Sequence, residues 1–121
     1  MRVLVCGSRH FNDTGLLERT LDKISITTLI EGEARGADKL GRAYAERRGI
    51  PVRAFPADWN THGKAAGSIR NSQMLKEGNP ELVVAFLAPD SRGTANMISQ
   101  AEKAGVPVKV IHVETTVQDQ S

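Results

Sequence analysis

The chain has 121 residues, 40% of them hydrophobic and 25% charged, ordinary values for one soluble globular domain and wrong for a disordered chain. Sixteen Lys and Arg against fourteen Asp and Glu give a formal charge of +2, too weak a balance to argue for nucleic acid or an anionic membrane as partner. One cysteine, Cys6, excludes an internal disulfide and a thiolate zinc site, and no apolar run approaches the ~20 residues that cross a bilayer.

The opening Met1-Arg2-Val3-Leu4-Val5 runs directly into a strand-like stretch with no signal-peptide core, so the expectation is a reduced, cytoplasmic protein. Arg2 to Cys6 is β-branched and apolar and ends at Gly7. Similar runs follow at Ile26 to Ile30, Pro51 to Phe55, Leu82 to Leu87 and Val106 to Val113. Continuous apolar runs bounded by Gly and Pro suit strands buried on both faces of a parallel sheet. Between them, Leu16, Leu17, Leu21 and Ile24 recur at helical spacing after a cap at Asp13. Ala37, Leu40, Tyr44 and Ala45 do so before Gly49, and Ala66, Ile69, Gln73 and Met74 form a weaker stripe ending near Gly78. Thr94 is read as the cap of a last helix carrying Met97, Ile98 and Ala101, stopping at Gly105. This alternation predicts one α/β domain over residues 1–113, with a solvated tail over 114–121. The domain is a Rossmann-like, five-stranded parallel sheet in the order 3-2-1-4-5, with helices on both faces.

In such a sheet ligands sit beyond the carboxyl ends of the strands, where strand order reverses. The loops expected there hold the unusual residues. Gly7-Ser8-Arg9-His10 follow the first strand, and Glu31-Gly32-Glu33-Ala34-Arg35-Gly36-Ala37-Asp38 the second. Asp58-Trp59 follow the third, and Asp90-Ser91-Arg92-Gly93-Thr94 the fourth. Arg9, Arg35 and Arg92 each have a glycine within two positions. Glycine lets a backbone approach a ligand closely, and arginine donates in a fork suited to phosphate. The helix starts at Ala37 and Thr94 would add unpaired N–H groups. The Glu31-to-Asp38 and Arg92-to-Thr94 loops are expected to face one another across one crevice.

Other features read more plainly. His10 and His62 have no metal-like spacing with a third ligand, so no metal is expected. Cys6 at a strand end reads as a small inert hydrophobe. Trp59, between Asp58 and Asn60, suits a stacking platform better than a core position. Arg70 and Asn71 fit a solvated helix face, but the small residues of Gly63-Lys64-Ala65-Ala66-Gly67 before them favour close approach by a ligand. No Walker-type phosphate loop is present, which disfavours that class of ATP hydrolysis.

Taken in order, Gly7-Ser8-Arg9, Glu31-Gly32, Ala34-Arg35-Gly36-Ala37-Asp38, Ala57-Asp58-Trp59, Arg70-Asn71-Ser72-Gln73-Met74 and Gly93-Thr94-Ala95-Asn96-Met97 resemble the YspA-like branch of the SLOG superfamily. These are Rossmann-like proteins related to the DprA and LOG types. The resemblance implies a nucleotide or nucleotide-derived small-molecule partner, signalling molecules included, and a homodimer or larger assembly, with no separate cofactor. Some superfamily members cleave a base from a nucleoside monophosphate. Arg70 and Met74 match those members, but the acidic residues expected after Gly-Thr are replaced here by Asn96 and Met97. Cleavage through an oxocarbenium-like state needs a carboxylate, so the sequence favours binding over a nucleotide-processing hydrolase. The expected ligand-binding set is Gly7, Ser8, Arg9, Glu31, Gly32, Arg35, Gly36, Asp38, Asp58, Trp59, Arg70, Asn71, Arg92, Gly93, Thr94 and Asn96. Ser8, Arg9, Gly36, Arg92, Gly93 and Thr94 would hold phosphate, Glu31, Asp58 and Asn96 ribose hydroxyls, and Trp59 the base. If catalysis occurs, Arg70, Glu31, Glu33 and Asp58 are the candidates.

Overall fold

The computed structural model describes residues 1–114, so the expected tail, Glu114 apart, lies outside the described residues. Five strands, β1 (Arg2–Gly7), β2 (Thr28–Glu31), β3 (Val52–Ala54), β4 (Leu82–Leu87) and β5 (Val108–His112), pair in parallel in the order β3-β2-β1-β4-β5. The helices are α1 (Thr14–Leu21), α2 (Ala37–Arg47), the one-turn α3 (Trp59–His62), α4 (Ala66–Gly78) and α5 (Arg92–Lys103), with a 3-10 turn at Gly63–Ala65 between α3 and α4.

The strand period of two sorts the core into two layers. Val3 and Val5 of β1, with Val84 and Phe86 of β4, face α1 and α2, where Leu17, Leu21, Tyr44 and Ala45 cover them. Leu4 and Cys6, with Val83 and Ala85, face α4 and α5, where Met74, Met97 and Ala101 cover them. Phe11, from the loop after β1, stacks on Phe86 with ring centroids 4.7 Å apart. Residues 3–5 and 83–86 are wholly enclosed, which is why β1 and β4 carry continuous apolar runs. The edge strands β3 and β5 are only half-buried.

Some expected boundaries shift. Helix α1 ends at Leu21, so Ile24 follows it rather than belonging to it. Thr94 is not a cap: α5 begins at Arg92 with Ser91 in the cap position, and Thr94 is buried in the first turn. Helix α3 was not expected, since one turn is too short to carry a hydrophobic period.

Because α1 and α2 lie on one face and α4 and α5 on the other, the chains leaving β1 and β4 part at the carboxyl edge of the sheet. A crevice opens between them.

Candidate functional site

The crevice is a cleft of about 740 Å³, within the usual size range of small-molecule sites. The loop after β1 forms one part of its wall through Gly7, Ser8, Arg9 and His10. Gly7 has no room for a side chain, because a β-carbon there would stand 2.7 Å from both Ala37 Cβ and the Phe86 carbonyl. Ser8 fastens the loop: its N–H donates to Phe86 at 3.0 Å, and its carbonyl accepts from Phe11 and from Ala37 at the head of α2.

The loop after β2 adds Glu33, Ala34, Arg35 and Asp38, and the loop after β4 adds Asp90, Ser91, Arg92, Gly93 and Thr94. The two loops expected to share a crevice thus line the same one. Arg9, Arg35 and Arg92 are exposed on it, and among the described residues none of their guanidinium groups has a hydrogen bond or ion pair. The first turn of α5 opens on the same cleft without a side-chain cap, whereas at the start of α2 the Ser8 carbonyl takes the Ala37 N–H and Ala37 is buried. Helices α1 and α3 differ, being capped by Asp13 and Asp58. Three unpaired cations and the uncapped start of α5 make this part of the lining attractive to an anion, beside the carboxyl groups of Glu33, Asp38 and Asp90.

Helix α4 braces the two walls. Arg70 Nη1 donates to the Gly32 carbonyl and its Nε to Asn71 Oδ1 at 3.1 Å. Asn71 Nδ2 donates to the Gly93 carbonyl at 3.2 Å and to Asn96 Oδ1 at 3.0 Å. Both side chains line the cleft, but their polar groups are largely engaged in tying the β2 loop to the β4 loop. Trp59 lies at the rim, 60% exposed, with its ring edge close over Gly67.

Five members of the expected set do not line the cleft. Glu31 is wholly enclosed. Gly32 accepts from Arg70 beneath the surface. Gly36, at φ 79°, is pressed against the Ser8 and Arg9 backbone, where any β-carbon would collide. Asp58 is exposed and caps α3 by accepting from the Thr61 N–H at 3.1 Å. Its carboxyl is held below the usual range by hydrogen bonds from Thr61, which suits a cap and not a general acid. Asn96 accepts from both Asn71 and Gln100.

Cys6, His10, Glu33, Ala34, Gly67, Met74, Asp90 and Ser91 also line the cleft although they stand outside the expected ligand-binding set; of these, Glu33 was expected only as a candidate carboxylate for catalysis. Asp38, 4% exposed, carries a carboxyl pushed up to about 6, chiefly by burial and against the pull of Arg70 and of two amides. Cys6 lies at the floor, where burial pushes its thiol far up and keeps it inert. No cluster of metal ligands occurs among the described residues, and no helix among them is long and apolar enough to cross a membrane.

A family model described as the YspA, cpYpsA-related SLOG family matches residues 1–62. The gene 61 protein of Mycobacterium phage D29 is 34% identical over 117 residues, covering 88% of this chain and 93% of that protein. Among solved structures, DNA processing protein A (DprA) from Streptococcus pneumoniae superposes with a TM-score of 0.74 at 16% identity, over 90% of this chain. The present chain spans 49% of that protein, and the likeness is one of fold.

Proposed function

The chain belongs to the YspA, cpYpsA-related SLOG family, and from that premise we propose that it binds a nucleotide or nucleotide-derived small molecule in the carboxyl-end cleft. The observation that carries this reading is the meeting of Arg9, Arg35 and Arg92, all without partners among the described residues, with the uncapped start of α5. Guanidinium groups and first-turn amides both select phosphate. In this reading Arg9, Arg35 and Arg92 hold the phosphate with the Gly93 and Thr94 amides, and Trp59 stacks on the base. Glu33 and Asp38, rather than Glu31 or Asp58, accept from ribose hydroxyls or a base amino group. Gly7, Gly32 and Gly36 shape the walls, and Arg70, Asn71 and Asn96 hold them at their spacing. We further propose a homodimer or larger assembly of the 1–113 domain, as membership of the superfamily implies, and a cytoplasmic location, as the single cysteine Cys6 suits.

A second reading, cleavage of an N-glycosidic bond, draws support from Asp38, a cleft-lining carboxyl near pKa 6 that could donate a proton at neutral pH. Titration calorimetry with a panel of nucleoside mono- and diphosphates tests both readings. Saturable binding that weakens with salt and is lost in Arg9→Ala, with no base released on chromatography, is the expected result. Release of free base abolished by Asp38→Asn would establish the hydrolase instead. Binding of no phosphorylated nucleotide, with none detected by mass spectrometry in the purified protein, would overturn both.

A further inference from the structure

Three successive amides of the cleft wall are held by two buried carboxylates. The Gly32 and Ala34 N–H groups donate to Asp38 Oδ2 at 3.0 and 3.3 Å, and the Glu33 N–H between them donates to Glu31 Oε1 at 2.6 Å. Glu33 sits at φ 59°, a left-handed conformation that a non-glycine residue keeps only where its surroundings hold it. The other oxygen of the enclosed Glu31, Oε2, has no hydrogen bond. Arg42 Nη1 stands 3.7 Å from it, and that guanidinium is shared with Glu33 and Glu46.

We infer that Glu31 and Asp38 form a proton-operated latch on the Gly32–Ala34 wall, shut while the pair carries a proton and loosened when both carboxylates are charged. The chemistry follows from what the hydrogen bonds require. An amide can still donate to the carbonyl oxygen of a neutral carboxyl, though less strongly than to a carboxylate, so the wall does not need both charges. The charge on Glu31, by contrast, is poorly compensated, its Oε2 having no hydrogen bond. Asp38 raises the cost of ionising Glu31, and so does Glu33, while only Arg42 and the Glu33 amide oppose them. Asp38 in turn is faced by Arg70 from α4 and by Cys6 from β1. The neighbour of Glu31 on β3 is Ala54, which contributes no charge.

Burial is the largest cause in both cases, pushing Glu31 up to about 7 and Asp38 up to about 6. Both values lie above those of free carboxylates, so the shut wall binds protons more tightly than an opened, hydrated one. By linkage the stabilisation is complete below the ordinary carboxylate range and is lost as pH rises through the raised values. An anion bound beside Asp38 would disfavour its charge further. Resting on the binding reading above, ligand uptake should therefore draw in a proton and strengthen toward mild acid.

The test uses the ligand-free full chain, so its failure is separate from any failure to bind nucleotide. Amide hydrogen exchange, normalised to intrinsic rates, should show opening at Gly32, Glu33 and Ala34 rising at least tenfold between about pH 5 and about pH 7, as loss of a proton requires. Glu31→Gln, a neutral isostere, should keep the wall protected at the alkaline end and flatten the profile. Protection that does not change with pH, or a Glu31→Gln wall less protected than the parent at about pH 8, would overturn the latch. Carboxyl-carbon resonances of the parent chain give a second reading that no variant's misfolding can spoil. Glu31 and Asp38 should titrate above the free-carboxylate range, and midpoints within that range would also overturn it.

Discussion

The two ends of the sheet treat the same residue types in opposite ways. At the amino end, Arg2 pairs with Glu81 at 3.6 Å, Arg47 with Glu18 at 2.6 Å and Arg48 with Asp22 at 2.7 Å. At the carboxyl end, Arg9, Arg35 and Arg92 line one cleft and have no such partner among the described residues. Three positive-φ glycines show a similar contrast. Gly49 and Gly105, which close α2 and α5 at the amino end, have left-handed φ values and open space around them, whereas Gly36 at the carboxyl end is hemmed in by the backbone of residues 8 and 9. The three amino-end arginines are neutralised and the glycines that close α2 and α5 are loosely surrounded. The carboxyl end keeps free cations in a concave setting, where low-dielectric walls focus their field.

The largest expected difference between the ends is in stability. Gly36→Ala meets both a left-handed φ and a collision with the Ser8 carbonyl, so a loss of about 3 kcal/mol is expected, from strain of roughly 1–2 kcal/mol and overpacking of similar size. Gly49→Ala meets the φ alone and should cost about 1 kcal/mol. Urea denaturation of the two variants measures the contrast. Equal losses would mean that the loop around Gly36 yields easily and that the carboxyl end is not the tighter one.

Next in size is the effect on the ligand. Arg35→Ala and Arg92→Ala should each weaken binding of a phosphorylated nucleotide by about 1.5–3 kcal/mol, the range for hydrogen bonds to charged groups. Since neither guanidinium is tied to the protein, thermal melts should stay near those of the parent. A large fall in melting temperature, with affinity unchanged in the folded fraction, would make these arginines structural and erase the distinction between the two ends.

Most of the architecture was legible because it rests on patterns that neighbours in sequence enforce. Leu82 to Leu87 reads as a central strand because both its faces are buried, and the order of strands follows from the need to cover both faces with helices. The location of the cleft followed from the same rule. What escaped was whatever depends on contacts made across the fold. Glu31 in a polar loop looks like a ribose ligand, and only the fold reveals that β2 carries it into the interior beside Asp38. Arg70 and Asn71 look like ligand contacts, and their engagement with Gly32 and Gly93 requires α4 to lie between the two loops. Asp58 followed by Trp59 gave no period to mark a helix, although an Asp before a short turn was a capping signal that could have been used.

The smallest expected effect lies at the amino end, and it is the control on which the contrast depends. Arg47 is half-exposed and its partner Glu18 is about one-third exposed. Its ion pair is therefore solvated, and Arg47→Ala should cost only about 0.2–1 kcal/mol. Its influence on the cleft should be smaller still. The six residues of β1 separate the two ends of the sheet by about 20 Å, more than twice the screening length of about 8 Å at physiological salt. A charge lost at that distance, already neutralised by Glu18, should leave nucleotide affinity unchanged. Calorimetry on Arg47→Ala beside Arg35→Ala checks this directly. Equal losses of affinity would show that the chain responds to net charge alone, and the cleft arginines would then have no claim to a specific anion site.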